Sequence, residues 1–141
     1  MQKLATILLV DDDATTNFLN ERLLESLELV DRLLIVHNGE EALDALAELR
    51  AQPEALPVLV LLDISMPVMD GIEFLETFRQ LPPEQQQMAV VIVLTTSMHS
   101  GDLARIEELP IAGLVSKPLT REKVNTLLQL HFGRQLPDGG A

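Results

Sequence analysis

Side chains that could bind a cation or react with phosphorus stand at the ends of four short apolar segments of this chain. They are Asp11, Asp12 and Asp13 after the first segment, Asp63 and Thr95 at the ends of two later ones, and Lys117 at the end of the last. Carboxylate oxygens are preferred ligands of Mg²⁺, and a carboxylate can also attack phosphorus as a nucleophile. Hydroxyl and ammonium groups can neutralise the oxygens of a phosphoryl group. These residue types predict a site for a hard cation and a phosphoryl group.

The three consecutive aspartates require a compensating partner. At a separation of about 5 Å and an effective dielectric constant of about 20, each carboxylate pair costs roughly 3 kcal/mol. Whole domains are stable by only about 5 to 15 kcal/mol. A divalent cation bound among these carboxylates would supply the compensation, whereas Asp13 lies where the first helix would begin. We therefore expect Asp13 to act as a helix N-cap rather than as a metal ligand.

Five short runs rich in Val, Ile and Leu predict the strands that carry these side chains. The runs cover residues 4–10, 32–37, 58–63, 88–95 and 112–117. Continuous apolar runs without alternation are typical of strands that are buried on both faces of a parallel sheet. In open α/β sheets the reactive groups collect outside the carboxyl ends of the strands. The acidic residues, the threonine and the lysine are therefore predicted to meet at one edge.

Segments with helical spacing separate the predicted strands. Leu19, Leu23 and Leu27 mark the first helix, and apolar residues within 42–49, 74–78, 103–106 and 124–131 mark four more. Asn38, Asp70 and Thr120 have the chemistry and position of N-caps. The Pro82-Pro83 pair is expected to stop the third helix. Five strands that alternate with five helices predict right-handed crossovers and a parallel α/β sandwich.

The composition fits one domain and argues against several functional classes. The 141 residues are 47% hydrophobic, which is enough for a sizeable core. A net charge of −12 disfavours binding to nucleic acid or to anionic membranes. The chain has no cysteine for a disulfide or a thiolate metal site, and its first residues resemble neither a signal peptide nor a membrane span. We expect a soluble cytoplasmic protein, with a domain over 1–132 and a short tail over 133–141 without an effector domain.

Four sequence motifs in this order resemble those of response-regulator receiver domains in two-component signalling. They are LLVDDD at 8–13, LLDISMPVMDG at 61–71, VLTTS at 93–97 and VSKP at 115–118. The resemblance covers roughly residues 3–132. It implies a flavodoxin-like α/β fold, namely a doubly wound five-stranded parallel sheet in the order 2-1-3-4-5 flanked by five helices.

The resemblance also implies a role for each acidic residue of the predicted site. Asp63 would accept a phosphoryl group from a phosphohistidine on a sensor histidine kinase or a histidine phosphotransfer protein. Asp12, Asp63 and the backbone carbonyl of Ser65 would ligate Mg²⁺, and Asp11 would act through a bound water. Because no external substrate would be turned over, the chain is not expected to be an enzyme.

Thr95 and Lys117 would complete this site according to the same resemblance. Thr95 would donate its hydroxyl to the phosphoryl group, and Lys117 would pair with it. Leu114 stands where the family often has an aromatic residue, so a signal would depend on shifts of loops and helices. The output would reach a downstream protein, or a second copy in a homodimer, through the fourth helix, the fifth strand and the fifth helix.

Two other functions are alternatives at this stage. Asp11, Asp13 and Thr15 also match the Asp-x-Asp-x-Thr motif of haloacid-dehalogenase-type phosphatases, in which Asp11 would be the nucleophile. That alternative does not account for LLDISMPVMDG. A phospho-independent pseudo-receiver would be a pure interaction module. The presence of all the acidic, hydroxyl and lysine positions favours a phosphorylated receiver.

Overall fold

A five-stranded parallel sheet forms the centre of the molecule. The computed structural model describes residues 4–96 and 100–133. The strands are β1 (Leu4–Val10), β2 (Val30–Val36), β3 (Val58–Asp63), β4 (Ala89–Thr95) and β5 (Gly113–Ser116). Their order in the sheet is β2-β1-β3-β4-β5, and every neighbouring pair is parallel. The predicted flavodoxin-like sheet and its strand order are confirmed.

Within residues 4–96 and 100–133, six α-helices flank the sheet, one more than the sequence predicted. They are α1 (Ala14–Ser26), α2 (Gly39–Arg50), α3 (Gly71–Phe78), α4 (Pro83–Gln86), α5 (Ser100–Glu107) and α6 (Arg121–Phe132), and a 3₁₀ turn spans Pro53–Ala55. The additional helix is the single turn of α4. Pro83 occupies its first position, where proline needs no N–H and already has a helical φ. The Pro82-Pro83 pair therefore follows α3 and also starts a new turn.

Two hydrophobic cores cover the two faces of the sheet. One core joins residues such as Leu8, Val60 and Val93 to α2, α3 and α5. The other joins alternate residues such as Ile7 and Leu61 to α1 and α6. Successive side chains of a strand point to opposite faces, so strands covered on both sides must be apolar throughout. This arrangement explains the continuous apolar runs in the sequence.

In the part of the chain that the structure describes, side-chain caps fix the starts of four helices. Asp13 accepts a hydrogen bond from the Thr16 amide at the start of α1, which confirms it as an N-cap. The other capping residues are Asn38 for α2, Asp70 for α3 and Thr120 for α6. At α3 the Glu73 side chain also accepts from the Asp70 amide and completes a capping box. Each of these caps ends a loop that follows a strand at the carboxyl edge of the sheet, so the caps help to fix the loops that carry the site.

The leucine spacing identified helix α1 but only part of its packed face. The buried residues of the helix are Asn17, Asn20 and Leu24. Leu23 and Leu27 are partly buried against the same core, whereas Leu19 is 59% exposed. Two asparagines therefore lie against the protein interior near the site.

Some predicted features lie outside the described residues. Ser97, the last residue of the VLTTS motif, is among them, as are residues 134–141 of the predicted tail. Within the described part of the chain, every helix is too short or too polar to cross a membrane.

Candidate functional site

The register of the two central strands brings Asp11 and Asp63 to the same edge of the sheet. Val10 pairs with Leu62 at the end of the β1–β3 ladder, so the next residue on each strand is an aspartate. Each aspartate also follows by two residues a leucine, Leu9 or Leu61, that packs against α1 and α6, so both aspartates lie on that face of the sheet. The Asp11 side chain is only 7% exposed and that of Asp63 only 16%. Two carboxylates thus face each other at the carboxyl ends of their strands.

Lys117 bridges these two carboxylates. Its ammonium donates to Asp11 Oδ2 at 2.9 Å and to Asp63 Oδ1 at 3.2 Å. The backbone places Lys117 there, because its amide donates to the Thr95 carbonyl at 2.7 Å just after β5. The peptide bond from Lys117 to Pro118 is cis. A residue more than fifty positions from either aspartate in the sequence is therefore a neighbour of both.

Asp12 completes a group of three carboxylates. One oxygen from each of Asp11, Asp12 and Asp63 lies within 4.8 Å of the others. Asp12 is exposed, whereas Asp11 is buried. All the donors in this group are hard carboxylate oxygens, which Mg²⁺ prefers over nitrogen or sulfur. The group therefore fits a hard divalent cation that is bound from the solvent side.

Electrostatics at the site follow from burial and from the close charges. Burial, together with the negative charge of Asp11, raises the pKa of Asp63 above its ordinary value, although Lys117 acts in the opposite direction. Burial alone would lower the pKa of Lys117. The hydrogen bonds and charges of Asp11 and Asp63 outweigh that effect and raise it. The cluster therefore holds one firmly protonated lysine beside an aspartate that is harder than usual to ionise.

Asp13 has a different role from the two aspartates before it. Its Oδ2 accepts from the Thr16 hydroxyl at 2.5 Å and from the Thr16 amide at 3.3 Å. The Thr16 hydroxyl bond, with further backbone bonds, lowers the pKa of Asp13. Asp13 is not part of the carboxylate group. The structure thus separates an N-cap from the candidate ligands, as the sequence predicted.

The loop from β3 to α3 is held closely against the end of β3. The Gly71 amide donates to the Ile64 carbonyl at 2.8 Å. A Cβ at residue 71 would lie 2.6 Å from the Asp63 carbonyl oxygen, so only glycine fits without moving the backbone. Ser65 lies in this loop and is exposed. Thr95 is half-buried at the end of the neighbouring strand β4.

Asn17 contacts the site, although the sequence reasoning did not identify it. Its Nδ2 donates to the backbone carbonyl of Asp11 at 2.8 Å, and the residue is 5% exposed. The available signal was its spacing from Asn20 and Leu24, which places all three on one face of α1. The more prominent leucine spacing concealed that signal.

Comparisons with known proteins agree with this geometry. The family model described as the response regulator receiver domain matches residues 7–129. The crystal structure of a two-component response regulator from Cytophaga hutchinsonii is 30% identical in sequence. The match covers 94% of this chain and 100% of that one, with a TM-score of 0.81.

Curated relatives give the same family assignment over different lengths. The probable chemotaxis protein CheY of Rhizobium etli is 31% identical over 127 residues, which are 90% of this chain and 92% of that protein. A protein-glutamate methylesterase/protein-glutamine glutaminase of Desulfotalea psychrophila is 36% identical over 76 residues. This chain matches only 19% of the length of that enzyme. The family match, together with the acidic edge of a 2-1-3-4-5 sheet, shows that the chain belongs to the response regulator receiver domain family.

Proposed function

We propose that Asp63 is the phosphoacceptor of this receiver domain and that a histidine kinase or a histidine phosphotransfer protein is its phosphodonor. The observation that carries this proposal is the Lys117 ammonium, which lies 3.2 Å from Asp63 Oδ1 inside a group of three carboxylates. A lysine in this position can pair with a phosphoryl group that is attached to Asp63. Sensor kinases and phosphotransfer proteins are the general partners of this family.

The chemical step needs Asp63 in its ionised form. A carboxylate oxygen of Asp63 attacks phosphorus, the P–N bond of the phosphohistidine breaks, and the imidazole leaves with the electron pair of that bond. The product is an acyl phosphate on Asp63. Lys117 would stabilise the negative charge on the transferred oxygens, and the Thr95 hydroxyl would donate to one of them. The raised pKa of Asp63 reduces its ionised fraction in acidic solution, so the reaction should slow there.

Mg²⁺ is the proposed cofactor because the donor set suits it. Asp12, Asp63 and the Ser65 backbone carbonyl would hold the ion, and Asp11 would contact it through water. A bound Mg²⁺ would neutralise part of the negative charge that gathers when a phosphoryl group meets three carboxylates.

The proposed output surface lies along α5, β5 and α6. Leu114 is 44% exposed and Leu130 is 72% exposed, and both line a groove of about 570 Å³ between β5 and α6. Ile106 of α5 is fully buried and so cannot contact a partner directly. A downstream protein, or a second copy of the chain, would bind at this surface.

Incubation with Mg²⁺ and phosphoramidate tests the phosphoacceptor, because this small donor carries a P–N bond like that of phosphohistidine. Intact-mass analysis should find one added phosphoryl group on the wild type and none on Asp63→Asn. Hydroxylamine, which cleaves acyl phosphates, should remove the label. Asp70→Asn is the matched control, because Asp70 lies in the same loop and asparagine also caps helices.

Other outcomes of the same experiment would support the alternatives. Labelling that persists in Asp63→Asn but disappears in Asp11→Asn would favour the hydrolase with Asp11 as its nucleophile. A wild-type protein that takes up no label with Mg²⁺ present would favour the phospho-independent pseudo-receiver. Either result would refute Asp63 as the phosphoacceptor.

A further inference from the structure

We infer that Asn17 is a positioning residue for the cation site because it holds the peptide that joins Asp11 to Asp12. The Asn17 Nδ2 donates to the Asp11 carbonyl at 2.8 Å in a buried setting. Because the acceptor is a carbonyl oxygen, the amide nitrogen and not its oxygen must face it. This inference rests on the proposed function, since it concerns how the same site is held in shape.

The contact controls the two carboxylates through the backbone. The Asp11 carbonyl belongs to the peptide unit between Asp11 and Asp12, so holding it fixes ψ of the first residue and φ of the second. Those two dihedrals decide how the Asp12 side chain is directed relative to that of Asp11. The neighbouring strand β2 still holds the Asp11 amide, which donates to the Val36 carbonyl at 3.1 Å, but both ladders of β1 end at Val10. The Asp11 carbonyl lies beyond these ladders, and Asn17 supplies its hydrogen bond.

Asp12 depends most strongly on this backbone contact. The Asp11 carboxylate is also held by the Asp13 amide at 2.9 Å and by the Lys117 ammonium at 2.9 Å. The Asp12 carboxylate is exposed and takes part in neither of these two bonds. Its position relative to Asp11 and Asp63 therefore follows from the backbone that Asn17 holds.

The chemistry of Asn17 indicates that it is not simply a packing residue. Its Oδ1 is buried and has no hydrogen-bond partner in the described part of the chain. Burying an unpaired amide oxygen is unfavourable, so an apolar side chain would be the better choice for packing alone. Asn20 lies on the same face of α1 and is also buried, but the side-chain donor to the Asp11 carbonyl is Asn17. Asn20 is therefore the matched control.

Calorimetric titration of the full chain with Mg²⁺ tests this inference without measuring phosphorylation. Removal of a residue that orients a metal ligand without touching the metal typically weakens metal binding by about 10- to 100-fold. Asn17→Leu should therefore raise the Mg²⁺ Kd by about 10-fold or more. Asn20→Leu should keep the Kd within about twofold of wild type. Urea unfolding in EDTA measures the stability of each variant, so a change in affinity can be separated from a change in folding.

The outcomes distinguish a positioning role from a purely structural one. A wild-type Kd in a folded Asn17→Leu protein, or equal losses in both variants, would refute the inference and leave the proposed function intact. If Asn17→Leu does not fold, Asn17→Ala removes the same donor without adding bulk, and the same expectation applies to it. A wild-type protein that binds no Mg²⁺ would refute the cation site itself, and this inference with it.

Discussion

Replacement of Asp12 by alanine should make the metal-free protein more stable and abolish its stabilisation by Mg²⁺. Asp12 contributes one of three carboxylates whose oxygens lie within 4.8 Å of one another. Lys117 donates to the other two, Asp11 and Asp63, but no hydrogen bond joins it to Asp12. The charge of Asp12 is therefore mainly repelled within this group when no cation is bound.

The magnitude follows from the separation and the exposure of Asp12. At 4.8 Å, a pair of like charges costs about 0.9 kcal/mol at the dielectric constant of water and about 3.5 kcal/mol at a value of about 20. Asp12 is exposed, so the lower value applies to each of its two pairs, and the positive charge of Lys117, which bonds to both partner carboxylates, offsets about one of them. Removal of Asp12 should therefore gain about 1 kcal/mol, which for a domain of this size corresponds to a rise in Tm of roughly 3 to 4 °C.

Mg²⁺ should reverse the order of stability. At a Mg²⁺ concentration about one hundred times the Kd, binding to the folded state alone stabilises the wild type by about 2.7 kcal/mol, or roughly 9 °C, which exceeds the metal-free advantage of the variant. Asp12→Ala lacks a direct ligand and should show almost no response. Because the chain has no Trp, melting is best followed by far-ultraviolet circular dichroism, with NaCl added to the EDTA samples to match the ionic strength.

Asp13→Asn is the matched control for this experiment. It removes the adjacent negative charge, but asparagine keeps the ability to cap α1. This variant should retain the full response to Mg²⁺. If Asp12→Ala responds like the wild type while Asp13→Asn does not, the reasoning is refuted, because Asp13 would then hold the metal.

Three further variants test other parts of the structure. Thr6→Val should raise the free energy of unfolding by about 1 kcal/mol, because the Thr6 hydroxyl is buried without a partner in the described part of the chain, and urea titration would measure this. Gly71→Ala should lower the free energy of unfolding by about 1 to 3 kcal/mol, because the new Cβ would lie 2.6 Å from the Asp63 carbonyl. It should also slow phosphoramidate labelling of Asp63. Asp63→Asn in EDTA should be more stable than wild type at pH 7. The folded pKa of Asp63 is raised, so the cost of its charge is present above that pKa and disappears as the pH falls through it towards the unfolded value. An advantage that grew on acidification would contradict that sign.

The sheet was predictable because burial on both faces constrains every residue of a strand. Strand β3 is buried along nearly its whole length, and its sequence VLVLLD is correspondingly apolar until the final aspartate. The site was predictable for a related reason. Once the strands are parallel, their carboxyl ends share one edge, so the residues that end them must be neighbours. Asp63 and Lys117 needed no further information to be brought together.

The face of a helix that packs on the sheet depends on tertiary contacts, which the sequence shows less directly. In α1 the leucine spacing favoured Leu19, yet this residue is exposed and the asparagines are buried. Near the carboxyl edge, the interior that α1 covers contains backbone carbonyls and charged side chains as well as apolar groups. A polar residue can therefore be the better neighbour there, and a search for apolar periodicity does not detect it.

The two buried asparagines show how closely such a role depends on position along a helix. The backbone N–H of Asn17 donates to the carbonyl of the N-cap Asp13 at 3.0 Å. The Asn17 side chain therefore lies in the first turn of α1, beside the loop that carries Asp11. Asn20 follows three residues later, and a rise of about 1.5 Å per residue moves it about 4.5 Å further along the axis. That distance exceeds the length of a hydrogen bond, so the same side chain on the same face cannot hold the Asp11 carbonyl. The proposed positioning role therefore depends on where Asp13 starts the helix, and a change in that start would displace Asn17 from the carbonyl that it holds.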